Sequence, residues 1–487
     1  MSAAPPPFSR TPGLAAVFGA AAAAAALWLW MCWCVFPVSV WNDVRLAPAF
    51  ALARGVPLYS GANSGAVGTW IYGPLPVLLL WPATLAASAG HALLIAGAVN
   101  LLTTVAAIAV VCAAWPVAQG YSLTRSDRFL AMALAIALWP RASWQYLQAD
   151  NFTVAFGLVG NLLLVRARGP AWRWGAAAFA VAGLACKQTS VGVAIAQIIW
   201  LGITLGRAEA LRHLGRCLGA GALGALAIGF GLGWNGVWLN LFDLPSRLPW
   251  TTEMVRRIVD LAPELTIHLV LPVLVMLLWR RAFWRRDSVL LLPSLAWLCA
   301  LPPGVASLLK IGGTINSLQS LAYWLPPVLV AALAAARSAR QLRWAIPGAA
   351  LASLAICTTR LAATPGHPWR PLTKHYRQAE VLAQSFPDQI WFPWNPLVTI
   401  YGENRFYHVE DGLYVRFLAG RPLALAHARA FLPPHMCVIA LPRGGTDWGI
   451  ALQFVPPNAR RAEFGLWTLY SWPSEAPAGT AAPSPRS

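Results

Sequence analysis

The chain alternates long uncharged apolar runs with short clusters of arginine. Thr11–Trp41 and Ala92–Leu123, for example, contain no Asp, Glu, Lys or Arg. A helix rising about 1.5 Å per residue needs roughly 20 apolar residues to cross a hydrocarbon core about 30 Å thick. Runs of this kind predict transmembrane helices over 13–36, 91–115, 128–146, 152–165, 174–187, 189–206, 217–234, 263–279, 288–303, 319–336 and 344–361. A large soluble helical core would carry charged faces at a 3.6-residue period instead, and the sequence has none. Pro74–Ser88 is apolar but short, and it holds Pro74, Pro76 and Pro82, which suits a re-entrant or interfacial segment better than a span. Trp174–Gly206 as one helix would measure about 50 Å, so it is read as two spans with a turn near Lys187-Gln188-Thr189.

Composition strengthens this reading. Of 487 residues, 58% are hydrophobic and 11% charged, against about 25% charged in soluble domains. The net charge of +19 could suggest nucleic acid, but the cations lie in short clusters between apolar runs, as in cytoplasmic loops of membrane proteins. Nucleic acid is therefore not expected as a partner; membrane lipids are. With 74–88 not crossing, the clusters that begin at Arg125, Arg166, Arg207, Arg280 and Arg337 share one side with Arg10. Arg141, Lys187, Arg247, Arg256, Arg257 and Lys310 fall opposite. The positive-inside rule then predicts about eleven spans in the plasma (inner) membrane, N-terminus cytoplasmic and C-terminus extracytoplasmic. Gly13–Phe36 is too long for a signal-peptide core and is read as a retained first span. Residues 1–361 form the transmembrane domain. Residues 362–473 mix charge, Pro and short apolar runs, and are expected to make a small extracytoplasmic α/β module; 474–487 read as a disordered tail. The eight Cys offer no disulfide framework.

Ionisable residues at span ends are costly and are candidates for function. Asp43, directly after the first span, is either a general base at the outer face or a polar helix cap. Asp150, on a short outer loop, is either a second functional carboxylate or the N-cap of the helix from Phe152. Lys187, beside Gln188, either snorkels or holds a buried anion such as phosphate. Lys310 precedes Gly312-Gly313 and Asn316, where a cation and backbone N–H groups could meet an anion. Arg256 and its neighbours could guide an anionic head group. No zinc, Walker A or GxSxG pattern occurs, which argues against a metalloprotease, an ATP-driven pump and a serine hydrolase.

Several of these residues stand in a recognisable order. Asp43 follows the first span, then come an amphipathic stretch, Gly55-Val56-Pro57-Leu58-Tyr59, and Tyr72-Gly73-Pro74-Leu75 before an apolar segment. With Asp150, Lys187-Gln188 and the Lys310–Asn316 stretch, this layout resembles the GT-C superfamily of membrane glycosyltransferases. The resemblance is to the bacterial branch similar to protein mannosyltransferases and the lipid A aminoarabinose transferase. It implies an all-α polytopic fold with juxtamembrane helices in the first outer loop. It also implies sugar transfer from a polyprenyl-phosphate donor to a lipid, glycan or protein acceptor on the outer face. Asp43 would be the catalytic base, with Asp150 a second catalytic carboxylate. Lys187, Gln188, Lys310, Asn316, Tyr72, Tyr59 and Arg256 would bind substrate. No Asp-x-Asp stands in the first outer loop, so the sequence does not require a metal cofactor. The competing class is a transporter or flippase for a lipid-linked or anionic substrate, but the duplicated halves frequent in transporters are not evident.

Overall fold

A computed structural model describes residues 12–35, 39–63, 65–68, 70–250, 258–286, 288–338, 345–362, 372–443 and 448–473. Arg256 and the 474–487 tail lie outside them. Each apolar run falls on helix. In chain order these are α1 (Pro12–Val35), the juxtamembrane α2 (Val40–Ala53), the short α3 (Leu75–Leu79), α4 (Ala89–Ala118), α5 (Arg125–Leu138), α6 (Arg141–Gln145), α7 (Ala149–Val165), α8 (Pro170–Cys186), α9 (Val191–Thr204), α10 (Arg207–Leu232), α11 (Leu261–Leu278), α12 (Leu291–Leu309), α13 (Leu325–Ser338) and α14 (Ala345–Ala362). Among the described residues, six helical stretches are long and apolar enough to cross a membrane: α4, α10, α11, α12, Ile315–Arg337 and α14. Shorter apolar helices accompany them. Large apolar side chains such as Leu102, Leu218, Phe230 and Leu278 face outward, as lipid contact requires.

Local chemistry sets the breaks. The 74–88 segment forms α3 and a 3-10 turn at Trp81–Leu85, each far too short to cross. Its Val77, Leu80 and Ala83 are buried while Leu78, Trp81 and Leu85 are exposed. The 174–206 stretch divides at Lys187, whose backbone is extended (φ −152°, ψ 135°). The expected 128–146 span is interrupted: Pro140 lacks an N–H and pushes Trp139 to an extended conformation (ψ 147°), so α5 ends and α6 restarts. Thr124 opens α5 with a capping box to Asp127, and Arg337 at the end of α13 binds the same carboxylate.

The C-terminal module has α15 (Leu372–Ser385), α16 (Pro396–Glu403), α17 (Glu410–Leu418) and a four-stranded sheet. Its strands are β1 (Ile390–Trp391), β2 (Val438–Pro442), β3 (Arg460–Phe464) and β4 (Trp467–Ser471), in the order β1-β2-β4-β3. β1 and β2 run parallel, with α16 and α17 in their connection; the other pairs are antiparallel. Gly465 (φ 56°) makes the tight β3–β4 turn. The module does not hang free. Leu46, Phe50, Tyr59 and Trp70, between α1 and α4, share one core with Tyr376, Leu397 and Trp467.

Candidate functional site

The segment between α1 and α4 folds back onto the N-terminal end of α7 and the C-terminal end of α8, and this brings charges together. Asp150 sits in the first turn of α7, where Gln148 and not Asp150 is the N-cap residue. Its two oxygens each accept from Lys187 Nζ at 2.8 Å, and both side chains are buried. Lys187 is free to reach it because α8 ends one residue earlier. Lys187 Nζ also lies 5.3 Å from the centre of the Tyr72 ring. On α2, the guanidinium carbon of Arg45 lies 4.9 Å from that same ring and 5.7 Å from Trp41. Arg45 Nε and Nη1 are buried and make no hydrogen bond. Two cations thus lie close to one aromatic ring, and one of them keeps unused donors in a place shielded from water. Unused buried donors are costly, which makes them a candidate anion site.

Neighbouring residues fix this arrangement. Tyr59 OH donates to the Tyr72 carbonyl at 2.6 Å. Gln188 Nε2 donates to Ile71 O and Leu241 O, both at 3.0 Å, tying the α8–α9 turn to the loop and to the Leu239–Asp243 π turn. Asn316 Nδ2 donates to Gln148 Oε1 at 3.2 Å, two residues from Asp150. Gly73 passes so close to α8 that a Cβ there would overlap the Ala185 carbonyl. Behind this layer Asn100, Ser143, Asn151 and Gln319 form a buried polar network.

Asp43 and Lys310 stand apart from the cluster. Asp43 is 0% exposed, and its Oδ1 accepts from Leu397 N at 3.0 Å and its Oδ2 from Asn395 Nδ2 at 3.4 Å. It therefore caps the N-terminus of α16 in the module. Burial, only partly offset by these donors, pushes its carboxyl up to about 7. An open cavity of about 300 Å³, lined by Val40, Tyr376, Asn395, Arg443 and Trp467 among others, adjoins this seam. Lys310 Nζ donates to Pro245 O at 2.7 Å and lies 5.4 Å from the Trp250 ring, so it braces the 244–250 segment.

Solved structures superpose on most of the chain. The crystal structure of ArnT from Cupriavidus metallidurans bound to undecaprenyl phosphate aligns with a TM-score of 0.59 at 10% identity, covering 94% of this chain and 98% of ArnT. The apo structure of the same protein aligns with a TM-score of 0.53 at 11% identity, with the same coverage. The chain has an ArnT-like fold. The likeness is one of fold and extends over nearly the entire length. No protein-family model matches the sequence, and no curated protein matches it. Within the ArnT-like fold, the cluster unites Tyr59, Tyr72, Asp150, Lys187, Gln188 and, through Gln148, Asn316. It adds Arg45, which sequence reasoning missed. The signal was available, a cation two residues beyond Asp43 on an otherwise apolar amphipathic helix.

Proposed function

We propose that the protein transfers a sugar from a polyprenyl-phosphate donor to an acceptor on the extracytoplasmic face of the plasma membrane, as an ArnT-like GT-C glycosyltransferase. The observation that carries this reading is the pair of shielded cations, Arg45 and Lys187, gathered at the Tyr72 ring. The ArnT-like fold supports it, since ArnT was crystallised with undecaprenyl phosphate. In this account Arg45 and Lys187 hold the lipid phosphate, and Asp150 orients Lys187. As the acceptor oxygen bonds to the anomeric carbon, the bond from that carbon to the phosphate oxygen breaks. The phosphate leaves with the electron pair, and fixed cations in a water-poor site stabilise its growing charge. Asp43 takes the acceptor proton. Its carboxyl near 7 suits a base, and reaching the acceptor requires it to release the Leu397 N–H at the α2–module seam. Lys310 and Arg256 guide the donor toward the cluster. In this reading the N-terminus is cytoplasmic and the module lies outside, with eleven spans between.

The decisive variant is Asp43→Asn. An amide oxygen can still accept from Leu397 N, so the cap is kept, while the acceptor for Asn395 Nδ2 and the base are lost. Transfer from a polyprenyl-phosphate sugar should fall about 10²-fold or more, with undecaprenyl phosphate binding unchanged. Full transfer activity in Asp43→Asn would remove it as the base.

A further inference from the structure

We infer that Arg416, on α17 of the C-terminal module, is a positioning residue for the Tyr59–Tyr72 wall of the cation cluster. The inference rests on the proposed reading of that cluster as a lipid-phosphate site. Arg416 is 1% exposed. Its Nη1 donates to Ala62 O at 3.0 Å, and its Nη2 donates to Ser60 O at 3.1 Å, Ser60 Oγ at 3.1 Å and Gly61 O at 2.9 Å. The rigid planar fork of one guanidinium thus holds three consecutive carbonyls. Its buried Nε makes no hydrogen bond, so it is the two Nη groups that confine the loop to the shape that engages them.

The other side of the loop is held as firmly. Asn240 Nδ2 donates to Ser60 O at 2.9 Å, and a Cβ on Gly236 would overlap the Tyr59 carbonyl. Tyr59 and Ser60 are therefore clamped between the module and the helical segment after α10. Tyr59 then passes the constraint on, because its hydroxyl fixes the Tyr72 carbonyl and the Tyr72 ring lies close to both Arg45 and Lys187. Module docking does not depend on Arg416. Val409 N donates to Val67 O at 2.9 Å, and Asp43 and Glu380 each cap a helix across the seam. Arg416 acts on the site rather than on the attachment.

The test uses the full chain in lipid nanodiscs with 3-fluorotyrosine at position 72. Arg416→Ala should broaden or split the Tyr72 fluorine resonance and weaken undecaprenyl phosphate binding about tenfold, the scale of a lost charged hydrogen bond. The limited-proteolysis pattern should stay that of the parent. Arg416→Lys should recover part of the affinity. Gly236→Ala, which displaces the same loop from the membrane side, should reproduce the broadening. An unchanged Tyr72 resonance in Arg416→Ala overturns the inference, as does broadening that comes only with release of the module. If the parent protein fails to bind undecaprenyl phosphate while the resonance still responds to Arg416, the lipid-phosphate reading falls and the positioning role stands.

Discussion

Single residues carry the chemistry, and two of them illustrate what a sequence reveals. Asp43 and Arg45 are two positions apart on α2, so about 200° of helical turn separates them. Asp43 therefore faces the module and Arg45 faces Tyr72. The sequence marked Asp43 by its place after the first span, yet nothing local told which way either side chain pointed. The Asp150–Lys187 pair was legible only as two isolated candidates. Because the pair is buried, removing one partner strands the other. Asp150→Ala should destabilise the protein by ~3–5 kcal/mol, whereas replacing both members with apolar residues should cost much less; chemical denaturation of the two variants checks this. Asp43 also predicts a pH response. Its carboxyl is raised above its unfolded value, so the folded protein binds more protons between about pH 4 and 7. Its contribution to stability therefore falls as pH rises through that window, while the fraction able to act as base grows. Transfer activity should climb with pH toward and through about 7, and a pH–rate profile lacking that limb would contradict the role.

At the scale of elements, helices and turns were largely readable because hydrophobic length and punctuation are local. The Lys187 turn and the non-spanning 74–88 segment both follow from residue count and proline content. The break at Trp139-Pro140 was also written in the sequence but was overridden there by the surrounding apolar run. The docking of the module was not readable at all, since it depends on pairs hundreds of residues apart. Asp43 of the membrane domain caps α16 of the module. Glu380 of the module returns the favour by accepting from Ala89 N at 2.8 Å, at the first turn of α4. Loss of such a cap typically costs ~1 kcal/mol. Glu380→Ala should lower the thermal transition by that order and expose the α3–α4 junction to protease, while Glu380→Gln, which keeps an acceptor, should behave like the parent.

For the whole molecule, charge asymmetry and apolar length argue for a polytopic membrane protein. The ArnT-like fold agrees over 94% of the chain despite 10% identity. Such agreement without sequence likeness is expected when a fold is specified mainly by which residues face lipid, core and water. An aromatic stripe fits a membrane–water boundary just beyond α10. Phe230, Trp234, Trp238 and Phe242 recur every four residues and are exposed, as aromatic residues at a membrane–water boundary are. Cysteine substituted at an exposed module site such as Arg460 should react with an impermeant maleimide added outside intact cells, and labelling only after lysis would reverse the assigned sidedness. The central claim is that Arg45 and Lys187 hold the phosphate of a lipid-linked sugar. The most direct measurement is transfer from a panel of undecaprenyl-phosphate sugars by the purified parent protein and by Lys187→Met/Asp150→Leu, a double variant that leaves no stranded charge. The account predicts transfer from at least one donor by the parent and loss of both transfer and undecaprenyl phosphate binding in a folded double variant. Undiminished transfer by that variant would contradict it.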